Sequence, residues 1–299
     1  MINVCVSTDN KYCQYAGVVI ASILCNSKET DSLNFYILDG GISQENKNKL
    51  HQLKNIKPCN ITFVNVNPSD FDEYKNIPTH AYLSIAAYYR LKLSKLIPNI
   101  DRVIYLDCDT VVNTSLAELY NSDLGNNCIG GVIDIRVFNK RKWKGTKYIN
   151  SGMLLMDLKK IRENNIEQEF FDFTKNHFDR IKTGDQDIIN FTLENRITIL
   201  NDTWNVQVSN FTSRTSFTKS PNIIHYIGQQ KPWKFGSTNY FKDKYFSYLA
   251  LTPWAIPKNE MFKWNTLNKI YSVFMFMCNR PFSLLRPKFW KAVYLTYIK

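Results

Sequence analysis

Short apolar runs alternate with amphipathic or polar stretches from the first residues onward. Residues 2 to 8 read as a strand, and Thr8-Asp9-Asn10-Lys11-Tyr12 as the loop that leaves it. Val18 to Leu24 continues as an apolar helix whose alanine and serine positions permit close packing on a sheet. Asn34 to Leu38 forms a second strand, ended by Asp39-Gly40-Gly41. Ser43 then caps a polar helix that runs to about Leu53, and Asn60 to Val66 makes a third strand. Strand and helix alternating at this spacing predict an α/β fold with a parallel, Rossmann-like sheet. Ligands then belong in the crevice beyond the carboxyl ends of the strands.

The pattern becomes less regular further on. Ser84 to Leu93 reads as an apolar-rich helix carrying Arg90, and Arg102 to Leu106 as a short buried strand followed by Asp107-Cys108-Asp109 and a resumed apolar run. Ile129 to Asp134 is a strand whose paired glycines suit a close backbone approach. Residues 136 to 148 are basic and aromatic, an exposed excursion. Tyr148 to Leu158 returns as a strand, residues 159 to 180 as one long polar helix with His177 on its surface, and Gly184-Asp185-Gln186-Asp187 opens another helix. The strand Asn222 to Ile224 leads into His225-Tyr226-Ile227-Gly228.

At 299 residues with 44% hydrophobic and 14% aromatic content, the chain can bury a sizeable core, which excludes a disordered protein. Its first residues lack the basic and sustained apolar regions of a signal peptide. Seven scattered cysteines without CxxC pairing fit reduced thiols in the cytoplasm rather than a disulfide framework or a zinc site. The net charge of +12 is uneven: residues 254 to 299 carry eight Lys or Arg against Glu260, so seven of the twelve charges lie there.

Asp107 and Asp109 carry the strongest chemical signal. On an extended segment they point the same way from positions about 7 Å apart, and two such carboxylates repel unless a cation lies between them. Oxygen ligands of this kind suit Mg²⁺ or Mn²⁺. A turn with two solvated aspartates is the plainer account of the same spacing. Arg90 is open between a snorkelling surface residue and a phosphate or carboxylate partner, and Asp9 between a nucleoside contact and a turn residue. Asp185 and Asp187 suit a helix N-terminus, yet with Gln186 they are also placed to bind sugar hydroxyls. His225 is a good Mn²⁺ ligand if it meets the aspartates, and Lys231 can neutralise a phosphate. No GxGxxG follows the first strand, which weighs against a dinucleotide cofactor.

Six stretches in order carry a family likeness: Asp9-Asn10-Lys11-Tyr12, Tyr88-Tyr89-Arg90-Leu91, Tyr105-Leu106-Asp107-Cys108-Asp109, Asn150-Ser151-Gly152-Met153-Leu154, Asp185-Gln186-Asp187, and His225-Tyr226 with Gly228 and Lys231-Pro232-Trp233. Together they resemble the retaining glycosyltransferases of family 8, which include bacterial lipopolysaccharide galactosyl- and glucosyltransferases and, more distantly, glycogenin. The resemblance runs from about residue 2 to about residue 250. It implies a single GT-A type nucleotide-binding domain over 1–252 with a mixed, mainly parallel sheet. It also implies that Asp107, Asp109 and His225 bind Mn²⁺ (or Mg²⁺) on the diphosphate of a UDP-sugar. Asp9, Asn10 and Tyr12 would then meet the uridine, and Gly228 and Lys231 the phosphates. Arg90, Asp134, Asn150, Asp185 and Gln186 would surround the donor sugar, with Arg90, Asp134, Asp185 and Gln186 at the chemistry. The first loop departs from the Asp-Asp-Asn-Tyr common in the lipopolysaccharide enzymes at Asn10 and Lys11.

The implied function is transfer of galactose or glucose from UDP-galactose or UDP-glucose to a lipid-linked oligosaccharide of the lipopolysaccharide or lipooligosaccharide core. Residues 253–299, helical, basic and aromatic, suit an anionic membrane surface, placing the protein in the cytoplasm, peripheral on the inner face of the membrane; a helical pair packed on the body is the plainer account of the same stretch. Two other classes compete on sequence grounds. A basic nucleic-acid-binding protein conflicts with a charge confined to one end and the lack of RNP-type motifs, so no nucleic acid is expected. A nucleotidyl or phosphoryl transferase using the same Asp-x-Asp site lacks a GxxxxGK[ST] loop.

Overall fold

A computed structural model of the chain describes residues 1–74, 77, 85–134, 147–209, 220–229, 231–235, 237–257 and, in the tail, 260, 266, 267, 270, 271 and 274. The first half is the expected alternation: β1 (Ile2–Thr8), α1 (Cys13–Asn26), β2 (Leu33–Asp39), α2 (Gln44–Gln52) and β3 (Asn60–Asn65). Val4, Cys5 and Val6 are all fully buried because β1 is covered on both faces, as a central parallel strand must be. Ser43 caps α2 by accepting from the Asn46 backbone N–H at 3.3 Å.

The seven-stranded sheet has the order β3-β2-β1-β4-β7-β6-β8, with β4 (Arg102–Leu106), β6 (Ile129–Ile133), β7 (Ile149–Asp157) and β8 (Ile197–Ile199) on the far side of β1. Strand β7 pairs antiparallel with both β4 and β6, while β8 runs parallel to β6. Only β7 is therefore reversed. This reversal brings the N-terminal residues of β7, Asn150 to Gly152, to the same edge as the C-terminal ends of β1, β4 and β6. A smaller sheet, β5 (Thr110–Val112), β10 (Ile223–Tyr226) and β9 (Val206–Val208), lies beyond it.

Two apolar layers cover the large sheet. Ala16, Val19, Ile20 and Ile23 of α1 and Leu50 of α2 join Val4, Val6, Ile104 and Leu106 on one face. Tyr89 and Leu91, α3 (Leu93–Leu96), α5 (Leu158–Glu163), α6 (Ile166–Asn176) and α7 (Asp185–Thr192) cover the other. The short α4 (Ala117–Tyr120) follows β5, and α8 (Lys242–Leu249) packs Tyr245 and Leu249 on the small sheet.

Several local expectations change. Residues 85–92 wind as a 3₁₀ segment, not an α-helix, before α3 begins. The long helix over 159–180 is broken into α5, α6 and a 3₁₀ turn, because Asn165 adopts a left-handed φ of 53° that interrupts helical bonding; His177 is exposed there as expected. Gly130 and Gly131 make room for the core itself. An added Cβ would lie 2.6 Å from Leu124 at Gly130 and 2.5 Å from Ile149 at Gly131. The excursion over 136–148 lies outside the described residues apart from 147 and 148, and so does most of the tail. Trp254, inside the stretch read from sequence as the tail, packs on α1 at Gly17. The six described cysteines are free thiols. Among the described residues no helix is long and apolar enough to cross a membrane.

Candidate active site

Strand β4 ends at Leu106, and residues 107–109 turn instead of continuing extended. Thr110 Oγ1 closes the turn by donating to the Asp107 carbonyl at 2.9 Å, while Cys108 tucks inward with its thiol on the Ser7 carbonyl at 3.2 Å. The two aspartates thus converge through a turn, not through strand alternation. The chain then enters β5, which pairs antiparallel with β10 so that Thr110 faces His225, and the Tyr226 N–H donates to the Asp109 carbonyl at 2.9 Å. This pairing delivers the histidine to the aspartates. One ligand atom from each of Asp107, Asp109 and His225 lies within 4.8 Å of the others.

Gly152 forms the floor. A Cβ there would stand 2.2 Å from His225 Cε1, 2.9 Å from its Nε2 and 2.7 Å from Asp107 Oδ2. No side chain larger than hydrogen fits. The Asp107 N–H donates to the Gly152 carbonyl at 2.8 Å, which extends the β4–β7 pairing to the turn itself.

The protein's own cations neutralise part of the acidic pair. Arg90, 3% exposed, donates from Nη2 to Asp107 Oδ1 at 2.7 Å, approaches Asp185 Oδ2 at 3.2 Å and lies over the Tyr105 ring at 4.2 Å. It also donates to the carbonyls of Ala87 and Ser151. Burial would lower the Arg90 pKa, but Asp107, Asp185 and Tyr105 outweigh it and raise it. Of its two open readings, the carboxylate partner holds. Lys231 donates to Asp109 Oδ2 and to the Tyr226 carbonyl. Burial would raise the Asp109 pKa, yet the Lys231 ammonium beside it holds it well below the usual carboxylate range. Asp185 has the opposite balance. Its burial, opposed by Arg90 and reinforced by Asp107, leaves its pKa pushed up to about 6.

The donor set fits a hard divalent ion. With Oδ2 committed to Lys231, the buried Asp109 Oδ1 has no hydrogen-bond partner and faces His225 Nε2 at 3.3 Å. The three ligand atoms, each within 4.8 Å of the others, are close enough together for one such ion to be shared among them.

A cavity opens over this centre, lined by Ser7, Thr8, Asp9 and Tyr12, by Ala86, Ala87 and Arg90, and by Tyr105, Asp107, Cys108, Asp109 and Lys231. Asp9 also accepts from the Tyr12 N–H at 2.9 Å, so its turn role and its place at the cavity coexist. Asn10 is turned elsewhere: its Oδ1 accepts from the Ser43 N–H at 2.9 Å and from Asn46 Nδ2 at 2.8 Å. Gly228 adopts φ 77° with open space around its Cβ direction. Behind the centre Asp134, Asn150 and Gln186 form one buried hydrogen-bonded cluster. Asp187 is not available to a sugar. It is fully buried and accepts from Tyr148 Oη at 2.5 Å and from the Lys182 and Thr183 N–H groups at 2.6 and 2.7 Å. Asn205, which has no motif around it, meets His225 Nδ1 at 3.0 Å. Its one sequence signal is a polar residue beside a buried Trp204.

Comparison with known proteins agrees with this arrangement. Residues 3–236 match the model of glycosyl transferase family 8. A Haemophilus influenzae protein classed provisionally as a glycosyltransferase is 35% identical over 244 residues, 78% of this chain and 73% of its own. The lipopolysaccharide 1,2-glucosyltransferase of Escherichia coli K12 is 26% identical over 81% of this chain and 76% of its own. The galactosyltransferase LgtC, crystallised with donor and acceptor sugar analogues, superposes with a TM-score of 0.75 at 29% identity, over 88% of this chain and all of that one. A second LgtC structure, an active-site glutamine-to-glutamate mutant, gives 0.75 at 28% identity over 86% of this chain and 98% of that one. The reversed β7, the Asp-x-Asp turn and the histidine returned by β10 thus sit in a GT-A fold, and the chain belongs to glycosyltransferase family 8.

Proposed function

We propose that this enzyme transfers galactose or glucose, with retention of configuration, from a UDP-hexose to a saccharide acceptor of the lipopolysaccharide or lipooligosaccharide core. The observation that carries the reading is the convergence of Asp107, Asp109 and His225 beside a cavity whose remaining charges are Arg90, Lys231 and Asp9. In this reading the three side chains hold Mn²⁺ or Mg²⁺, which when bound supplies Lewis-acid stabilisation of the departing diphosphate. Lys231 adds a positive charge at the same place, where negative charge develops most. Tyr12 and Asp9 at the cavity wall take the uridine. Asn10 is proposed to act there through the placement of its loop, since its side chain is bound to α2, and Gly228 to let the backbone near the phosphates.

Asp185, with Oδ2 buried and lacking a hydrogen bond, orients sugar hydroxyls beside Arg90, and Asp134 and Asn150 complete that pocket. In glycosidases retention calls for a carboxylate nucleophile, whereas Gln186 is an amide. Same-face attack is the better fit, with a phosphate oxygen taking the acceptor's proton and Gln186 stabilising positive character on the sugar. The glutamine altered in the LgtC active-site mutant supports a role for an amide at such a site. Residues 253–299 are proposed to rest on an anionic membrane surface.

Incubation with a panel of UDP-sugars, with and without Mn²⁺, tests the reading. Metal-dependent release of UDP from one UDP-hexose is expected. Release of UMP or pyrophosphate, or turnover unaffected by chelator, would overturn it.

A further inference from the structure

The buried cluster behind the centre is directional, and backbone groups set its direction. The Gly152 N–H can only donate, so the Asn150 atom it meets at 3.1 Å is the amide oxygen. The Asn150 Nδ2 then points to Asp134 Oδ2 at 3.3 Å and to Gln186 Oε1 at 3.1 Å, and that glutamine oxygen also accepts from the Ser151 N–H at 3.2 Å. Asn150 Oδ1 has a second neighbour, Asn205 at 3.0 Å, which must present its NH₂ to it. The Asn205 oxygen is left facing His225 Nδ1 at 3.0 Å. An acceptor at that place requires Nδ1 to carry the hydrogen.

We infer that Asn205 is a positioning residue that holds His225 as the Nδ1–H tautomer and so aims the Nε2 lone pair at Asp107 and Asp109. The inference deepens the reading of these three residues as a metal site and rests on it. Asn205 and His225 are both buried, so no solvent competes for Nδ1. An Nε2 lone pair opposite the partnerless Asp109 Oδ1 places two acceptors 3.3 Å apart, an arrangement that a cation between them resolves. The same chain of amides ends on Gln186 and Asp134, so the group proposed beside the sugar and the histidine at the metal share one anchored network.

The test is long-range ¹H–¹⁵N correlation on metal-free, ¹⁵N-histidine-labelled protein above pH 8, joined to calorimetric Mn²⁺ titration. The chain has only four histidines. Wild type is expected to show His225 with a protonated Nδ1 and a bare Nε2. Asn205→Ala is expected to lose that preference and to bind Mn²⁺ about 10- to 100-fold more weakly. Asn205→Asp, which keeps an acceptor opposite Nδ1, is expected to restore the tautomer. A wild-type spectrum with the hydrogen on Nε2 overturns the inference even if Asn205→Ala does not fold. Folded Asn205→Ala with Mn²⁺ affinity within twofold of wild type overturns it as well. Wild type that binds no Mn²⁺ overturns the metal reading instead, since the metal-free spectrum decides the tautomer by itself.

Discussion

Gly152→Ala isolates the proposed metal centre from the rest of the fold. Carbon atoms in contact lie about 3.5–4.0 Å apart, whereas the added Cβ would begin 2.2 Å from His225 Cε1 and 2.7 Å from Asp107 Oδ2. The imidazole must therefore retreat by more than 1 Å, and its bond to Asn205 resists that movement. A displacement of about 1 Å at a reacting centre costs on the order of 10²-fold in rate, so kcat/KM is expected to fall at least about 100-fold, or about 2.7 kcal/mol. Overpacking should lower stability by only about 1–3 kcal/mol. Gly130→Ala supplies the contrast. It meets Leu124 Cδ2 at 2.6 Å, a similar clash against a movable leucine tip within the core. It should cost comparable stability and leave Mn²⁺ affinity unchanged. Paired urea melts, Mn²⁺ titrations and initial rates for both variants decide the matter. Gly152→Ala with activity and Mn²⁺ affinity within threefold of wild type would refute the placement of the centre on that glycine.

Asp187→Asn should lose about 2–4 kcal/mol by urea unfolding at pH 7, because an amide cannot accept all three of the bonds that Tyr148, Lys182 and Thr183 donate. Burial works against the Asp187 carboxylate but those bonds lower its pKa, so its stabilisation is full above the unfolded value near 3.9 and is lost on acidification through the lower folded value. The deficit of the variant should therefore shrink below about pH 4. Asp185 should behave oppositely. With a folded pKa of about 6, it favours the folded state most below the unfolded value and loses that contribution as pH rises through the folded one. In metal-free protein the stability of Asp185→Asn relative to wild type should climb between about pH 4 and pH 6.5, by about 3 kcal/mol; a flat or falling difference would contradict the assignment. Arg90→Lys should cost about 3–5 kcal/mol in thermal or urea unfolding, since an ammonium cannot bridge Asp107 and Asp185 as the guanidinium fork does. Recovery of wild-type stability in that variant would mean the arginine bridge is dispensable.

Local signals reached furthest where one stretch carries its own physics. The apolar runs of β1 and β2 and the Ser43 cap were legible because burial on both sheet faces and a single hydroxyl-to-backbone bond are short-range demands. Where spacing underdetermined the backbone, expectation and structure part. The aspartates converge through a turn, residues 85–92 tighten into 3₁₀ geometry, and Asn165 divides one anticipated helix into two.

The order of residues alone therefore established which side chains were available for chemistry: the Asp107–Asp109 pair, a downstream His225 with Lys231, and the Asp185-Gln186 helix start. Which of them meet was settled by two long-range facts, the reversal of β7 and the pairing of β5 with β10. Strand direction and sheet pairing depend on the energy of the whole packed layer, so no stretch of sequence could announce that Gly152 must be bare, that Asp187 is consumed by Tyr148, or that Asn205 stands behind the histidine.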